Sequence, residues 1–478
     1  MISFILNRED ASADLPPGRV VLDFLRQQRG LSGTKEGCRE GDCGACMVLV
    51  GRPERGAVRY EAVNSCLLPA GELPGRHLVT IEGLNAPALS AVQQAFLDEG
   101  ATQCGFCTPG FIVALTGFLL SAPRISLAGA IDAVAGNICR CTGYASIRRA
   151  IGRLCDDLAA APGVTPEDGG LAERLDCLVR RGVVPSYLLE IPRRLSGVAA
   201  TPAAECHEGR TEFPVVAGGT DLFVQRPEHL ADAERLAFLS RREDLRGIKR
   251  ADGYCEIGAA TPLADLEDSP LLRDHVPGLN NCWRLISSRP IRHRATVAGN
   301  IVNASPIGDL TVLLLAFDAA ATLSNGASRR DVPLRDFFLG YKKLDRREDE
   351  LLLRVRFPLP APGTVFSFEK VSRRTHLDIA SVNSAMQVRM EDDRVAGVHL
   401  SAGGVAPVPL YLRRTVRRLT GSALSPDTVR DALEEAQQEI SPISDVRGSA
   451  DYKRVLLRQL LMAHFLKVRP DLESTLPS

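Results

Sequence analysis

The chain has 478 residues, of which 45% are hydrophobic and 24% charged, and its 58 Lys+Arg balance its 58 Asp+Glu. This composition is that of an ordinary globular protein, and the length predicts about three domains. No basic excess favours nucleic acid or an anionic membrane as a partner. The longest apolar run, near Phe111–Leu120, is about half of a membrane crossing, and the start MISFILNREDAS lacks the pattern of a signal peptide. We therefore expect a cytoplasmic protein.

The first two predicted domains differ in pattern. Residues 1–85 combine the strand-like runs ISFILN and MVLV with an amphipathic helix pattern, VVLDFLRQQ, that ends at Gly30. Residues 86–160 carry four stretches with helical spacing and little strand propensity. The sequence therefore predicts a small β-rich domain followed by a helical bundle.

The remaining chain begins with residues 161–189, whose segment APGVTPEDGG is typical of an exposed linker. From residue 190 the pattern becomes α+β, and glycines interrupt the strand-like segments PVVAGG, CEIGAA and TVAGNIV. From about residue 361 a sheet pattern is followed by two helical stretches. We interpret residues 190–360 as one α+β domain and residues 361–478 as a C-terminal lobe.

The chain contains 13 cysteines. In a reducing compartment, clustered cysteines are more typical of metal ligands than of disulfides. Eight of them form two groups before residue 142. We interpret the other five as buried thiols that pack like small apolar side chains. These five are Cys155, Cys177, Cys206, Cys255 and Cys282.

The first cysteine group lies in KEGCREGDCGACMVLV and continues to NSCLLPA. Its members are Cys38, Cys43, Cys46 and Cys66. The spacing C-x4-C-x2-C with a later fourth cysteine is that of a plant-type [2Fe–2S] site. The glycines within the loop let the backbone wrap closely around cluster sulfurs and aim N–H groups at them. Zinc is disfavoured, because zinc sites usually pair two short knuckles, whereas one loop here supplies three ligands.

The second cysteine group consists of two pairs. Cys104 and Cys107 lie in QCGFCTPG, and after a gap of 31 residues Cys139 and Cys141 lie in NICRCTGY. Helix-forming sequence fills the gap, so helical hairpins can bring the two pairs together. A C-x-C pair is unusual for zinc. Directly after a ferredoxin-type pattern, the group indicates a second iron–sulfur site.

Two glycine-bearing segments stand out further along, PVVAGGTDL at 214–222 and ATVAGNIVNASPIGDL at 295–310. Neither is G-x-G-x-x-G, so a Rossmann dinucleotide site is not indicated. Such glycines allow a pyrophosphate to approach backbone N–H groups without a side chain in the way. By themselves, the strings fit a tight strand turn equally well.

Both cysteine groups resemble, ligand for ligand, the paired [2Fe–2S] domains of the molybdenum hydroxylases, the family of xanthine dehydrogenase and aldehyde oxidase. This resemblance covers residues 1–155. In that family, the glutamine before the first cysteine of the helical domain touches the molybdopterin cofactor of the molybdenum portion. The resemblance therefore implies this contact for Gln103. Residues from about 190 to 475 resemble the FAD domain of the same family.

The resemblance implies a set of FAD contacts. The pyrophosphate would be held by Val215, Val216, Ala217, Gly218, Gly219, Thr220, Asp221 and Leu222. Further phosphate and ribose contacts would come from Thr296, Gly299, Asn300, Ser305 and Asp309. Leu352 would touch the flavin, and Lys370 would approach the isoalloxazine ring.

The sequence departs from the family pattern at several of these positions. Thr296 stands where serine is common, and the family often has Gly-Asn-Thr-Glu at positions 218–221. Ile286 is nearest in register to an aromatic residue that stacks on the flavin in animal enzymes. The loop Ser372–Asp378 matches a segment near the flavin, and its Arg373 and Asp378 are candidates for influencing NAD.

The resemblance implies an α+β multidomain protein. It would comprise a β-grasp plant-type ferredoxin domain at 1–85, a four-helix-bundle [2Fe–2S] domain at 86–160, a linker at 161–189, an α+β FAD-binding domain of the carbon-monoxide dehydrogenase flavoprotein type at 190–360, and a C-terminal α+β lobe at 361–478. Clusters pass single electrons, and a flavin converts them into a hydride for NAD+. The implied activity is electron transfer, with no substrate-hydroxylating residues in this chain.

The source of electrons in that family is a molybdenum–pterin centre, for which no part of this sequence remains. We expect that centre on a larger partner subunit, in a heterotetramer of two small and two large subunits. The fusion of iron–sulfur and FAD portions is similar to that in bacterial enzymes that oxidise purines. Two alternatives remain: the small subunit of a family member acting on aldehydes or N-heterocycles, and a stand-alone iron–sulfur flavoprotein that oxidises NADH.

Overall fold

The computed structural model describes residues 1–159, 170–198 and 213–474. These residues divide into two units. The first unit contains the N-terminal part of the chain together with two later segments, Phe213–Phe238 and Ser288–Arg294. The second unit contains the described residues of 239–287 and 295–474. Two pieces of the predicted α+β domain therefore pack with the iron–sulfur domains.

The β-rich domain of the first unit is a five-stranded mixed sheet. In spatial order, its strands are Glu9–Ala13, Ile2–Leu6, His77–Val79, Met47–Glu54 and Ala57–Asn64. The central pair is parallel, with Ile5 opposite His77, and the other pairs are antiparallel. The helix Val21–Asp23 continues as a π-helical turn over Phe24–Gln28. Its apolar side chains pack on the sheet, and the predicted ferredoxin-type β-grasp fold is confirmed.

The helical domain follows, and its four predicted helices are all present. They are Ala91–Asp98, Thr108–Ser121, Leu127–Ala133 and Ala145–Ala159. The first helix begins at a capping box of Ser90 and Gln93, in which side chain and backbone hydrogen-bond reciprocally. Ten of the 14 residues of the helix Thr108–Ser121 are buried, which makes it the central element of the bundle.

The predicted linker at 161–189 needs correction. Residues 160–169 lie outside the described residues, but Leu171–Arg180 is a helix and Ser186–Glu190 is a 3₁₀ turn. Leu175 and Leu178 are buried in the same core as the helical bundle. The helix has i, i+3 apolar spacing, but the acidic, glycine-rich stretch directly before it is typical of a linker.

The segment Phe213–Phe238 packs on the β-rich domain. Its strand Val215–Val216 pairs in parallel with Ala237–Phe238 and is followed by the short helices Leu222–Gln225 and Pro227–Ala231. Val216 and Phe238 share a core with Leu22 and Leu67 of the β-rich domain. A Cβ at Gly18 would lie 1.7 Å from the Leu230 carbonyl oxygen, so the two backbones touch.

The second unit begins with a five-stranded antiparallel sheet. In spatial order, its strands are Arg329–Pro333, Ala320–Ser324, Leu351–Pro358, Tyr254–Gly258 and Ile248–Ala251. Its main helices are Leu263–Glu267, Pro270–His275, Val297–Asn303 and Asp309–Ala316. The expectation of a strand at TVAGNIV is wrong, because the Thr296 hydroxyl accepts a hydrogen bond from the Gly299 N–H at 3.2 Å and caps a helix there.

The C-terminal lobe has the predicted sheet and helices. Its four-stranded antiparallel sheet consists of Thr364–Val371, Val382–Glu391, Arg394–Gly403 and Leu410–Tyr411. The helices Arg413–Leu419, Pro426–Glu439 and Ala450–Val468 follow. Val388, Leu400 and Leu461 lie in the core between sheet and helices. A search of the described residues finds no helix with the length and apolarity needed to cross a membrane.

We predict that Gly18→Ala lowers the stability of the first unit by about 2 kcal/mol, because the new methyl group forces apart two packed backbones. The unfolding midpoint of the full chain in urea measures this effect. The control is Gly152→Ala in the helix Ala145–Ala159, where a Cβ meets open space and replacing glycine should stabilise the helix slightly. Equal midpoints for both variants would contradict the observed packing.

Candidate iron–sulfur and flavin sites

The four cysteines of the first group converge as two pairs. Cys38 and Cys43 lie on the loop before the strand Met47–Glu54, and their thiols hydrogen-bond to each other. Cys66, in the 3₁₀ turn Ser65–Leu67, forms such a pair with Cys46. A [2Fe–2S] cluster needs two ligands for each of its two irons. The arrangement therefore fits the two-iron site that the spacing predicts.

The first loop stabilises sulfur in its thiolate form. The hydrogen bond from Cys43 lowers the pKa of Cys38 to about 5, and backbone N–H groups add to this effect. The N–H groups of Glu40 and Asp42 each lie 3.3 Å from the Cys38 sulfur. At Gly37, a Cβ would come within 2.7 Å of the Cys43 sulfur, so no larger residue fits against the ligand. Thiolates ringed by backbone N–H groups suit iron ligation.

The second group is also two pairs. The Cys141 and Cys104 sulfurs are 3.4 Å apart, and the Cys107 and Cys139 thiols hydrogen-bond to each other. Although burial opposes it, hydrogen bonding from Thr142 lowers the pKa of Cys139. Across the described ranges, no three His, Cys, Asp or Glu side chains surround one point closely enough for a single metal ion.

The two cysteine sites differ in exposure. Cys46 and Cys66 of the first site are buried, whereas Cys104 and Cys141 of the second are exposed. Gln103 is exposed beside them, and the Phe106 ring is 48% exposed. Cys38, Cys43 and Cys107 are half-buried and Cys139 is buried, so the second site is the more exposed of the two and the first is the more deeply buried.

The two cysteine loops meet through hydrogen bonds. The Ile138 N–H, next to Cys139, donates to the Cys43 carbonyl at 3.0 Å. Asn137 Nδ2 donates to the Gly44 carbonyl, also at 3.0 Å. Gly44 has φ +67°, and a Cβ there would lie 2.4 Å from the Gly136 carbonyl oxygen. Backbone contact of this kind places the ligand loops of both sites side by side.

The first site also adjoins the predicted pyrophosphate segment. Cys46 and Cys66 belong to one apolar cluster with Val216 and Phe223, and Ile291 packs against it. Gly219 of this segment has φ +80°, the left-handed region that favours glycine. The segment Val215–Leu222 therefore lies next to the first cysteine site, here called the inner site, within the first unit.

The other predicted FAD residues lie in the second unit. Thr296 and Gly299 form the helix cap described above, Asn300 Oδ1 accepts a hydrogen bond from Thr311 at 3.0 Å, and the Ser305 hydroxyl accepts one from the Ile307 N–H at 3.4 Å. Leu352 is buried in the sheet, opposite Leu323.

Lys370 and Asp309 form a buried ion pair. Lys370 Nζ lies 2.7 Å from Asp309 Oδ2 and donates to the Leu285 carbonyl at 2.6 Å. Asn383 Nδ2 donates to the other Asp309 oxygen at 2.5 Å. Burial raises the pKa of Asp309, although both neighbours oppose the shift. A buried charge held by a polar network in this way is typical of a binding site.

Ile286 and the loop Ser372–Asp378 have structural partners. Ile286, nearest in register to the aromatic residue that stacks on the flavin in animal enzymes, is buried in the core. Arg373 donates to the Val446 carbonyl at 2.7 Å, and the Arg374 N–H donates to Asp378 at 2.9 Å. Four of the five scattered cysteines are buried, as predicted, and Cys206 lies outside the described residues.

The sequence interpretation missed Asn137, Arg294 and Asn383. Asn137 has a local signal, because it stands two residues before a ligand in NICRC and its amide can hold a backbone carbonyl. Asn383 carries no such signal, since its partner Asp309 lies 74 residues away. Arg294, which contacts the Gly218 carbonyl, is equally remote in sequence.

Four family models match the chain. Their descriptions are 2Fe-2S iron-sulfur cluster binding domain at residues 4–70, [2Fe-2S] binding domain at 80–152, FAD binding domain in molybdopterin dehydrogenase at 194–360, and CO dehydrogenase flavoprotein C-terminal domain at 366–468. In sequence order they cover both cysteine groups, Asp309 and Lys370.

Curated relatives and a solved structure are also similar. Xanthine dehydrogenase 1 of Arabidopsis thaliana is 29% identical over 95% of this chain, and xanthine dehydrogenase/oxidase of Gallus gallus is 27% identical over 98%. The chain spans only 39% and 40% of those relatives. Carbon monoxide dehydrogenase from Hydrogenophaga pseudoflava, in a form lacking the Mo-pyranopterin moiety, is 31% identical with a TM-score of 0.50, over 53% of this chain and 88% of that one.

We predict that Cys43→Ala and Cys104→Ala each remove one cluster and leave the other, because the two ligand sets lie in separate domains. Iron content should fall from about four to about two per chain. Electron paramagnetic resonance (EPR) of the reduced variants should retain one of two [2Fe–2S] signals. Cys155→Ala, at a buried thiol of the helical domain, is the control and should keep both. Loss of both signals from either ligand variant would refute the assignment.

Proposed function

We propose that this chain, which belongs to the molybdenum hydroxylase family as its iron–sulfur and FAD portion, carries electrons from a molybdenum centre to NAD+. The proposal rests on the spatial order of the two cysteine sites and the flavin segment within the first unit. The more exposed cysteine site is joined by the Ile138–Cys43 hydrogen bond to the more buried one, and Cys46 and Cys66 of the latter share a core with Val216. Electrons arriving at the surface would thus be led inward towards the flavin segment.

The bound groups supply the redox chemistry: [2Fe–2S] clusters exchange single electrons and FAD exchanges hydride with NAD. The chain's own residues hold and shield them. The cysteine pairs provide thiolates, and the N–H groups of Glu40 and Asp42 stabilise the negative sulfur of Cys38. Cys46 and Cys66 are buried, which shields their half of the first cysteine site from water.

For FAD, we propose the residues that the family resemblance implies. In the first unit, Val215–Leu222 would hold the pyrophosphate. In the second unit, the remaining contacts would come from Thr296, Gly299, Asn300, Ser305, Asp309, Leu352 and Lys370. The Lys370 ammonium is buried and joined to Asp309, which itself accepts a hydrogen bond from Asn383, and this polar network within the second unit supports the proposed role.

The partner we propose is a larger molybdenum-binding subunit, in a heterotetramer of two small and two large subunits. Exposed side chains surround the second cysteine site, Gln103 and Phe106 among them, and they support docking of the partner there. Gln103 would contact molybdopterin. From the similarity to xanthine dehydrogenases, we propose oxidation of hypoxanthine and xanthine to urate as the activity of the whole enzyme. A partner acting on aldehydes or N-heterocycles is the alternative outcome.

We predict that the chain alone, loaded with iron, sulfide and FAD, oxidises NADH with an artificial dye as acceptor but does not hydroxylate xanthine. The NADH reaction is the reverse of the proposed hydride transfer to NAD+. Dye reduction is followed by absorbance and xanthine turnover by urate formation. Urate produced by the chain alone would overturn the proposal. A fully loaded chain without NADH activity would contradict the NAD assignment.

The role of Gln103 is tested with the partner present. We predict that Gln103→Ala lowers xanthine-dependent NAD+ reduction by about tenfold, as for a lost contact to a polar cofactor, and leaves NADH–dye activity unchanged. Gln94→Ala, at another exposed glutamine of the helical domain, is the control and should affect neither. If the chain purifies from its native cell without a molybdenum-containing partner, the alternative of a stand-alone iron–sulfur flavoprotein NADH reductase is supported instead.

A further inference from the structure

Arg294 connects the pyrophosphate segment to the β-rich domain. Its Nη2 donates to the Gly218 carbonyl at 3.1 Å and lies 3.4 Å from the Glu72 carboxylate. The Arg294 side chain is 14% exposed and that of Glu72 is 7% exposed. All three residues belong to the first unit. Hydrogen bonds from a charged group that is shielded from water to this extent are strong.

The contact fixes the direction of one peptide group. The Gly218 carbonyl and the Gly219 N–H belong to the same planar trans peptide, so they point in opposite directions. With the carbonyl held by Arg294, the Gly219 N–H is turned away from the guanidinium. Two consecutive glycines rotate freely without such a restraint, and Gly219 adopts φ +80° here. Arg294 therefore holds the Gly218–Gly219 peptide in one of the several orientations that the two glycines allow.

The anchor at Glu72 is itself rigid. Glu72 ends the 3₁₀ turn Ala70–Glu72, and the ring of Phe238 packs so closely on Gly71 that a Cβ there would lie 2.4 Å from it. Phe238 in turn pairs with Val216, the strand residue before the glycine segment. The carboxylate is thus fixed relative to the segment whose peptide Arg294 orients.

We propose that Arg294 is a positioning residue for the pyrophosphate of FAD, acting through the Gly218–Gly219 peptide, with Glu72 as its anchor. The inference rests on the proposed function, because it takes the segment Val215–Leu222 as the pyrophosphate site. Backbone N–H groups bind phosphate oxygens when they are oriented beforehand. Without the guanidinium, the Gly218–Gly219 peptide is free to rotate. FAD binding must then also fix the orientation of this peptide.

The test measures FAD binding to the deflavinated full chain by quenching of flavin fluorescence. We expect Arg294→Met to raise the Kd of FAD about tenfold, as for one lost charge-assisted hydrogen bond. Arg294→Lys, which keeps a donor for the carbonyl, should give a smaller rise. Glu72→Gln, which keeps an acceptor but loses the charge, should also weaken binding. Phosphorus NMR of the FAD-saturated variants should show shifted pyrophosphate resonances.

Arg52→Met is the matched control. Arg52 is also in the first unit, its guanidinium lies 3.4 Å from Glu61, and its Nε, like that of Arg294, is buried without a hydrogen-bond partner. This variant should bind FAD as the wild type does, with unshifted phosphorus resonances. Iron content and EPR signals report whether each variant is folded. If Arg294→Met loses its iron, Glu72→Gln and Arg294→Lys decide the question.

The outcomes separate the two hypotheses. A wild-type chain that binds no FAD would overturn the proposed function. This inference alone would be overturned if the wild-type chain binds FAD but the Arg294 and Glu72 variants bind it equally well. Equal binding means a Kd within about twofold of the wild-type value and unshifted phosphorus resonances. An equal loss of affinity in Arg52→Met would assign the effect to general destabilisation and overturn it as well.

Discussion

The first unit depends on a close approach of two backbones at Gly44. A Cβ at Gly44 would overlap the Gly136 carbonyl, and a Cβ at Gly110 would lie 2.3 Å from the Gly44 carbonyl. Because no side chain separates these loops, the Ile138 N–H reaches the Cys43 carbonyl directly. The two cysteine sites are thereby held in a fixed relation, which electron transfer between them requires.

The same unit joins the inner cysteine site to later parts of the chain. The segments Phe213–Phe238 and Ser288–Arg294 return to the β-rich domain and cover it with apolar side chains. Arg292, fully buried, pairs with Asp132 of the helical domain at 2.7 Å. A lone buried cation is costly, so this pairing binds the returning segment specifically to the iron–sulfur domains.

Local sequence signals predicted those features that depend on neighbouring residues. The cysteine spacing, the four helices of the bundle and the strands of the C-terminal lobe were readable because periodicity and spacing act over a few residues. The strand expected at TVAGNIV was wrong, since β-branched residues suggested extension while the Thr296 cap favours a helix. The helix Leu171–Arg180 was missed because glycine and proline precede it.

The sequence by itself determined the domain types, and it predicted the two cysteine ligand sets and, through the resemblance, the residues proposed for FAD. The tertiary structure alone decided which site is exposed, which site shares a core with Val216, and which polar side chains support the sites. Asn137 meets Gly44 across 93 residues, and Arg294 meets Gly218 across 76. Such contacts leave no local sequence pattern, because the two partners lie in different parts of the chain. Only the packing of the folded chain brings them together.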